Sequence, residues 1–173
     1  GILVLEEMET AQARGATIYG EIVGAGAVSD SSVNTDGGGA RILDAMKRAM
    51  KDLPFDAQDL DYVSANANGG KFMDMNEGRA LMALLGAAAV PVSAVKSMLG
   101  ETLGAGGALQ LIAALGAIQD GVVPPILNLK HPADGLDLNL IRGQGMKREI
   151  RRVLLNSIAP GGSIVSFAVQ GLK

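Results

Sequence analysis

The feature that most constrains this sequence is an uncharged run from residue 102 to residue 119. A run of this length is nearly long enough to cross a bilayer, but four glycines interrupt it. Residues 103–118 are apolar or small on nearly every helical face, which predicts a helix surrounded by protein. Its glycines and alanines would let neighbouring backbones approach closely. We therefore expect a buried core helix rather than a membrane span.

Strand and helix patterns alternate along most of the chain, which predicts the α/β class with an antiparallel finish. Apolar spacing predicts helices at 6–14, 42–53, 74–85 and 103–118, with Gly15 and Pro54 ending the first two. Strands are predicted at 1–5, 18–23, 61–65, 90–95, 136–141, 153–155 and 164–169. Residues 30–39 are polar and rich in glycine, and are predicted to form a loop.

Composition excludes several classes of function. The chain has 15 basic and 18 acidic residues and a formal net charge of -3, so no strong basic field favours a nucleic-acid partner. The short basic run at 147–152 is interpreted as a solvated lead-in to a strand. The chain has no cysteine, which excludes disulfides, thiolate metal sites and a cysteine nucleophile within it. The single histidine, His131, precedes Pro132 and is predicted to lie in a surface loop.

The amino terminus carries no basic segment followed by an apolar stretch, so no signal peptide is predicted. With the interrupted run described above, this leads us to expect a cytoplasmic protein with no membrane partner. Residues 1–5 are apolar and are predicted to be a strand without a preceding start signal. We therefore expect the sequence to be cut from a longer polypeptide or to be one part of a paired fold.

Three segments that follow predicted strands carry the functional signal. They are Asn-Ala-Asn-Gly-Gly at 66–70, Lys-Ser-Met-Leu-Gly-Glu at 96–101 and Asn-Ser-Ile-Ala-Pro-Gly-Gly at 156–162. Their order and spacing resemble three motifs of the C-terminal half of β-ketoacyl-acyl-carrier-protein synthases, approximately HGTST, KSxxGHxxGAAG and NSFGFGG. The segments outside the motifs also agree with the family at 4–7, 61–62, 120–125 and 128–129, so the resemblance covers almost the whole chain.

The resemblance implies a thiolase-type fold made of two similar halves, each a mixed five-stranded sheet covered by helices. Residues 1–173 would form the second half, and the N-terminal half would be absent from this chain. Active relatives use a cysteine of the first half as nucleophile and two histidines of the second half to stabilise developing negative charge. We expect neither a cofactor nor a metal site.

The resemblance places Asn66 at the first histidine position and Glu101 at the second. Asparagine can donate a hydrogen bond to a thioester oxygen, but it does not titrate near neutral pH. An ionised Glu101 would repel an enolate or a malonyl carboxylate by on the order of 1–4 kcal/mol. A protonated Glu101 could donate a hydrogen bond instead, but only with a strongly raised pKa. Loss of both histidines predicts loss of condensing activity by several orders of magnitude.

Supporting positions of the family are retained. Lys96 matches the family lysine, and Asp74 and Glu77 match the acidic positions after the first motif. We predict that Lys96 forms a buried ion pair with Glu77, with neutralisation of Glu101 as the alternative for the same lysine.

The third motif departs from the family at Ile158 and Pro160, which replace phenylalanines that would gate an acyl pocket. Gly161 and Gly162 are retained and are predicted to keep this turn close to the other loops. The small residues at 104–107 are interpreted as helix packing rather than as a phosphate-binding loop.

A retained frame without histidines is typical of non-catalytic ketosynthase partners such as the chain length factor of type II polyketide systems. We expect a heterodimer with an active ketosynthase, an acyl carrier protein as further partner, and a role in shaping the acyl tunnel. The alternative is a divergent acyltransferase on carrier-protein or coenzyme A thioesters that uses Glu101, Asn66 and Lys96. A third possibility is an isolated half-domain that self-associates, so in each case we expect an oligomer or a complex.

Overall fold

The computed structural model describes residues 1–172. Its α-helices are α1 (Met8–Ala13), α2 (Ala40–Met50), α3 (Lys71–Leu85), α4 (Lys96–Leu99) and α5 (Gly106–Asp120). Its strands are β1 (Glu21–Ser29), β2 (Tyr62–Ser64), β3 (Pro91–Ser93), β4 (Val122–Val123), β5 (Asn139–Leu140), β6 (Met146–Lys147), β7 (Arg152–Ile158) and β8 (Ser163–Gln170). Short 3-10 turns lie at Ala57–Asp59 and Leu103–Ala105.

The main sheet has six strands in the order β1-β8-β7-β2-β3-β5. Strands β7, β2, β3 and β5 are parallel, and β8 runs antiparallel between β7 and β1. The mixed α/β class is therefore as predicted, with one strand more than the expected five. The additional strand, β5, is a two-residue edge strand within the segment predicted at 136–141. A separate antiparallel pair, β4 and β6, was not predicted.

Helices cover both faces of the sheet, because successive side chains of a strand point to opposite faces. Val153 and Leu155 of β7 lie in one apolar cluster with residues of α5. Leu154 and Ile158 lie in a second cluster with residues of α2 and α3. The long apolar strand β7 is thus buried on both sides, as a central strand of a layered fold should be.

Helix α5 confirms the predicted core helix but is covered on one side only. Ala114 and Ala117 are buried against the sheet, whereas Ile112 on the other side is 43% exposed. A groove of about 710 Å³ separates this outer side from the amino-terminal segment. The expectation of a helix surrounded by protein is therefore wrong for this chain, because its single main sheet covers only one side of α5. Within residues 1–172, no helix combines the length and apolarity needed to cross a membrane.

The predicted strand at residues 1–5 does not form. Ile2 and Val4 are 91% and 81% exposed, and within residues 1–172 no strand pairs with this segment. An apolar sequence alone does not make a strand, because its backbone needs a hydrogen-bonding neighbour.

Strand β1 extends further along the chain than the predicted 18–23, through a segment of low strand propensity. Its residues Gly24 and Gly26 lie against the backbone of α2, where a Cβ atom would collide with the carbonyl oxygens of Ala49 and Ala45. Tertiary packing therefore requires glycine at these two positions of the strand. Because glycine is rare in strands, the sequence pattern did not predict this part of β1.

The topology brings the three motifs together. Strands β2, β3 and β7 are parallel neighbours, so their carboxyl ends lie at the same edge of the sheet. The first motif follows β2 and the second follows β3. The third motif spans the end of β7 and the turn into β8.

Candidate functional site

Asn66 lies at the centre of the candidate site and is completely buried. Its side-chain oxygen Oδ1 accepts hydrogen bonds from Nζ of Lys96 at 2.7 Å and from the backbone N–H of Ile158 at 3.0 Å. One atom of Asn66 therefore joins all three motifs.

The amide orientation of Asn66 follows from these contacts, because a lysine ammonium and a backbone N–H can only donate. The Nδ2 group is consequently directed to the sulfur of Met73 at 3.6 Å. A thioether sulfur is a weak acceptor, and Met73 belongs to the apolar core. The donor that could have served a thioester oxygen therefore points into the protein interior.

Lys96 is 9% exposed and forms a salt bridge with Oε2 of Glu101 at 3.0 Å. The same carboxylate accepts hydrogen bonds from Nδ2 of Asn68 at 3.2 Å and from the backbone N–H of Leu103 at 3.0 Å. The hydrogen bond from Lys96 is the main reason that the pKa of Glu101 lies below its ordinary value. Glu101 is thus ionised at neutral pH, and the structure contradicts the idea of a protonated Glu101 donor.

Glu77 is 1% exposed and does not form the predicted ion pair with Lys96. Its Oε1 accepts from the backbone N–H of Asn66 at 2.8 Å and from Nδ2 of Asn156 at 2.9 Å. Its Oε2 accepts from the backbone N–H of Ala67 at 2.9 Å. The prediction of a Lys96–Glu77 pair is therefore wrong, because Glu77 satisfies the loop after β2 while Lys96 pairs with Glu101. Burial raises the pKa of Glu77, and the three hydrogen bonds oppose that rise.

Asp74 holds the next part of the same loop. Its carboxylate accepts from the backbone N–H groups of Asn68 and Gly69, both at 3.0 Å. Burial raises the pKa of Asp74, and the backbone hydrogen bonds oppose the rise. Asp74 and Glu77 lie one turn apart on α3, so this helix fixes the course of the loop through both carboxylates.

The third motif contributes differently from what was predicted. Ile158 is 3% exposed and packs in the core cluster formed with α2 and α3, while Pro160 lies on the surface. Gly162 has a φ of 92° and lies against the backbone carbonyl of Asp30, where a Cβ atom would collide. Gly161 has open space around its Cα. Gly162 therefore keeps the turn close to the loop at 30–39, as predicted, whereas Gly161 makes no such close approach.

Of the glycines in the segment 104–107, Gly107 in the first turn of α5 is tightly packed, as predicted, whereas Gly104 meets open space. A Cβ atom on Gly107 would lie 3.3 Å from Oγ of Ser157, and one on Gly106 would lie 3.6 Å from Cε of Lys96. The start of α5 is therefore packed against the second and third motifs.

Two participants were missed from the sequence. Asn68 accepts from the backbone N–H of Gly70 at 3.0 Å and donates to Glu101, which joins the first motif to the second. Gln110 of α5 donates to the backbone carbonyls of Ala65 and Asn156, at 3.0 and 2.9 Å. The doubled asparagine of the first motif was a usable signal for Asn68. Gln110, a polar residue inside the apolar helix, was the signal for the second.

Comparison with known proteins gives consistent results for sequence and structure. The family "Beta-ketoacyl synthase, C-terminal domain" matches residues 19–130. The 3-oxoacyl-[acyl-carrier-protein] synthase 2 of Rhizobium meliloti (strain 1021) is 39% identical over 177 residues, which cover 98% of this chain and 41% of the relative. The chain thus spans about two fifths of that relative's length.

Two solved structures share the fold. The ishigamide ketosynthase/chain length factor superposes with a TM-score of 0.87 at 31% identity, covering 96% of this chain and 41% of the other. AntDE:AntF, a type II PKS acyl-carrier protein in complex with its ketosynthase bound to the hexaketide, superposes with a TM-score of 0.89 at 29% identity. That match covers 97% of this chain and 42% of the other.

Proposed function

This chain belongs to the β-ketoacyl synthase family through its C-terminal domain. We propose that it is part of a non-catalytic ketosynthase-like subunit. Such a subunit pairs with an active ketosynthase and shapes the tunnel that holds the growing acyl or polyketide chain. The observation that supports the proposal is the mutual bonding of Asn66, Lys96 and Glu101.

The polar groups of these three residues form hydrogen bonds with one another. The amide oxygen of Asn66 accepts from Lys96, and Lys96 also donates to the ionised Glu101. An oxyanion site needs donors directed at the position where negative charge develops. Here the donor of Asn66 points to Met73, and the second position carries a negative charge. The arrangement opposes condensation chemistry.

The buried frame around these residues argues for a retained structural role. Glu77 accepts hydrogen bonds from three donors, and Oδ1 of Asn156 in turn accepts from Oγ of Ser166 at 2.8 Å. A polar network of this kind stabilises a fold only when its members are satisfied. The geometry also weakens the acyltransferase alternative, because Asn66 and Lys96 are already engaged and buried.

The outer side of α5 supports a covering partner. Ile112 is exposed on this side, next to the 710 Å³ groove, and the chain spans only about two fifths of its relatives. We propose that the other half of the same fold covers α5. The active ketosynthase and an acyl carrier protein complete the proposed assembly. The AntDE:AntF structure supports this because it contains a ketosynthase with its carrier protein. A cytoplasmic location remains a prediction.

Reconstitution tests the proposal. The purified protein is combined with a cysteine-bearing ketosynthase and an acyl carrier protein, and chain elongation from malonyl-carrier substrate is measured. We expect co-purification of the two subunits and elongation that depends on the ketosynthase cysteine. Glu101→Gln should leave elongation within about twofold, since a non-catalytic Glu101 does not enter the transition state.

Two outcomes contradict the proposal. One is thioester turnover by this protein as a homodimer without the ketosynthase. The other is a loss of turnover in Glu101→Gln by a factor of about 100 or more, as expected for an acid-base residue. Asp134→Asn, a change in an exposed loop, is the matched control for removal of a negative charge.

A further inference from the structure

Asn68 and Gly69 form the one Asn-Gly step in the 173-residue sequence. In such a step the backbone nitrogen of the glycine can attack the preceding side-chain amide with little hindrance, because glycine has no Cβ atom. Gly69 is exposed, has a φ of 86°, and a Cβ atom built on it would meet open space. The step therefore lies in the first motif at a point that solvent can reach.

The reaction open to this step is deamidation. The nitrogen of Gly69 attacks Cγ of Asn68, so that an N–Cγ bond forms and the Cγ–Nδ2 bond breaks. The amide proton of Gly69 is transferred to the departing Nδ2 group, which leaves as ammonia, and a succinimide ring remains. Water then opens the ring at one of its two carbonyls and produces aspartate or isoaspartate at this position. The sequence of steps consumes one water and needs no oxidant or reductant.

The folded protein holds both reacting groups in hydrogen bonds. The N–H of Gly69 donates to Oδ2 of Asp74 at 3.0 Å. In the Asn68 amide, Oδ1 accepts from the N–H of Gly70 at 3.0 Å, and Nδ2 donates to Oε2 of Glu101 at 3.2 Å. Ring closure removes both the N–H of Gly69 and the Nδ2 group of Asn68. The reaction therefore breaks the hydrogen bonds to Asp74 and to Glu101.

We propose that Asn68 is a deamidation site that Asp74 and Glu101 keep unreacted in the folded protein. Because both hydrogen bonds must be given up before the ring closes, the reaction proceeds from a locally opened loop. Its product alters the candidate site, since aspartate has no amide donor for Glu101 and places a second negative charge beside it. Deamidation thus removes the contact that joins the first motif to the second.

Incubation of the purified protein in mildly alkaline buffer, followed by peptide mapping with mass spectrometry, tests this proposal. Deamidation of Asn68 should be at least about tenfold slower in the folded protein than in the same protein unfolded in urea. Asp74→Ala removes the acceptor of the Gly69 N–H, and it should accelerate the reaction in the folded protein by about threefold or more. Asp134→Ala, in an exposed turn, is the matched control and should react at the wild-type rate.

Three outcomes overturn the inference. The first is an equal rate in folded and unfolded wild-type protein, which would show that these contacts do not hold the site. The second is an unfolded chain in which Asn68 stays intact. The third is a rate in Asp74→Ala that is unchanged or lower, which would mean that Asp74 does not restrain the attack. If Asp74→Ala does not fold, as judged by circular dichroism, the comparison of folded and unfolded wild-type protein decides the question.

Discussion

Nζ of Lys96 donates a hydrogen bond to Oδ1 of Asn66 at 2.7 Å, and both residues are buried. The resemblance to ketosynthases aligns Asn66 with a histidine that stabilises negative charge on the substrate. Here the side chain at this position accepts a hydrogen bond from Lys96 of the protein itself. Lys96 also neutralises Glu101, so the substituted site is satisfied internally.

The contact between Lys96 and Glu101 should be measurable as an energetic coupling. Lys96→Met removes the donor shared by Asn66 and Glu101, and we expect a loss of about 1–3 kcal/mol in the free energy of unfolding. A double-mutant cycle with Glu101→Gln should give a coupling of about 0.5 kcal/mol or more by urea denaturation. Additive effects of the two substitutions would show that the salt bridge does not contribute.

The stability of the protein should depend on Glu101 in acid. The hydrogen bond from Lys96 lowers the pKa of Glu101 below the ordinary 4.5, so the folded state holds this proton less tightly than the unfolded state. The contribution is present above about pH 4.5 and is lost as pH falls through the lowered value. Urea denaturation between pH 7 and pH 3 should show the stability difference between wild type and Glu101→Gln shrinking towards the acid end. A difference that stays constant over this range would contradict the assigned shift.

Glu77 should be required for a stable fold. Glu77→Leu leaves the backbone N–H groups of Asn66 and Ala67 and the side chain of Asn156 without their acceptor. Each unsatisfied buried donor costs about 1–3 kcal/mol, so we expect severe destabilisation or failure to fold. Circular dichroism during thermal unfolding measures the effect, and Glu149→Leu at an exposed position is the control. Equal midpoints for the two variants would be incompatible with the network described.

The two adjacent glycines of the third motif should differ sharply. Gly162→Ala introduces a Cβ atom at a φ of 92° and against the carbonyl of Asp30, and we expect a loss of about 1–3 kcal/mol. Gly161→Ala meets open space and should change the free energy of unfolding by less than about 1 kcal/mol. Denaturant unfolding of the pair provides the comparison, and similar losses would refute this assignment.

The exposed side of α5 should control association. We expect the protein to form an oligomer or a complex, and Ile112→Asp should shift it towards the monomer, because a charge in an apolar interface is costly. Size-exclusion chromatography with light scattering measures the shift. Ala40→Asp, an exposed position at the start of α2, adds the same charge and should have no effect. A monomeric wild-type chain would contradict the expected association through this side of α5.

Much of the fold was accessible from the sequence, because amphipathic and apolar periodicity is a local property. The pattern at 42–53 located α2, and the uncharged run located α5. The strand at 1–5 and the limits of β1 were predicted wrongly. In both places the outcome depends on a neighbour, which is missing for residues 1–5 and is the α2 backbone for Gly24 and Gly26.

The candidate site was predicted in its membership but not in its pairing. The motifs placed Asn66, Lys96, Glu101, Asp74 and Glu77 in one site, and the parallel strands bring them together. The first prediction for the partner of Lys96, Glu77, was wrong, and the alternative, Glu101, is the partner observed. The sequence could not choose between them, because either acidic residue can balance the charge of the lysine. The loop after β2 brings the N–H groups of Asn66 and Ala67 within hydrogen-bond distance of Glu77. Glu77 is therefore satisfied by the loop, and Lys96 pairs with Glu101.

The sequence by itself determined the α/β class, the order of the motifs and the chemical types at their key positions. These follow from periodicity, spacing and residue identity, which do not depend on distant contacts. Tertiary structure alone decided that Asn66 turns its oxygen to Lys96 and that Lys96 pairs with Glu101. It also decided that Glu77 accepts hydrogen bonds from the loop after β2 instead of pairing with Lys96. Hydrogen-bond partners and burial arise between segments far apart in the chain, so no local pattern records them.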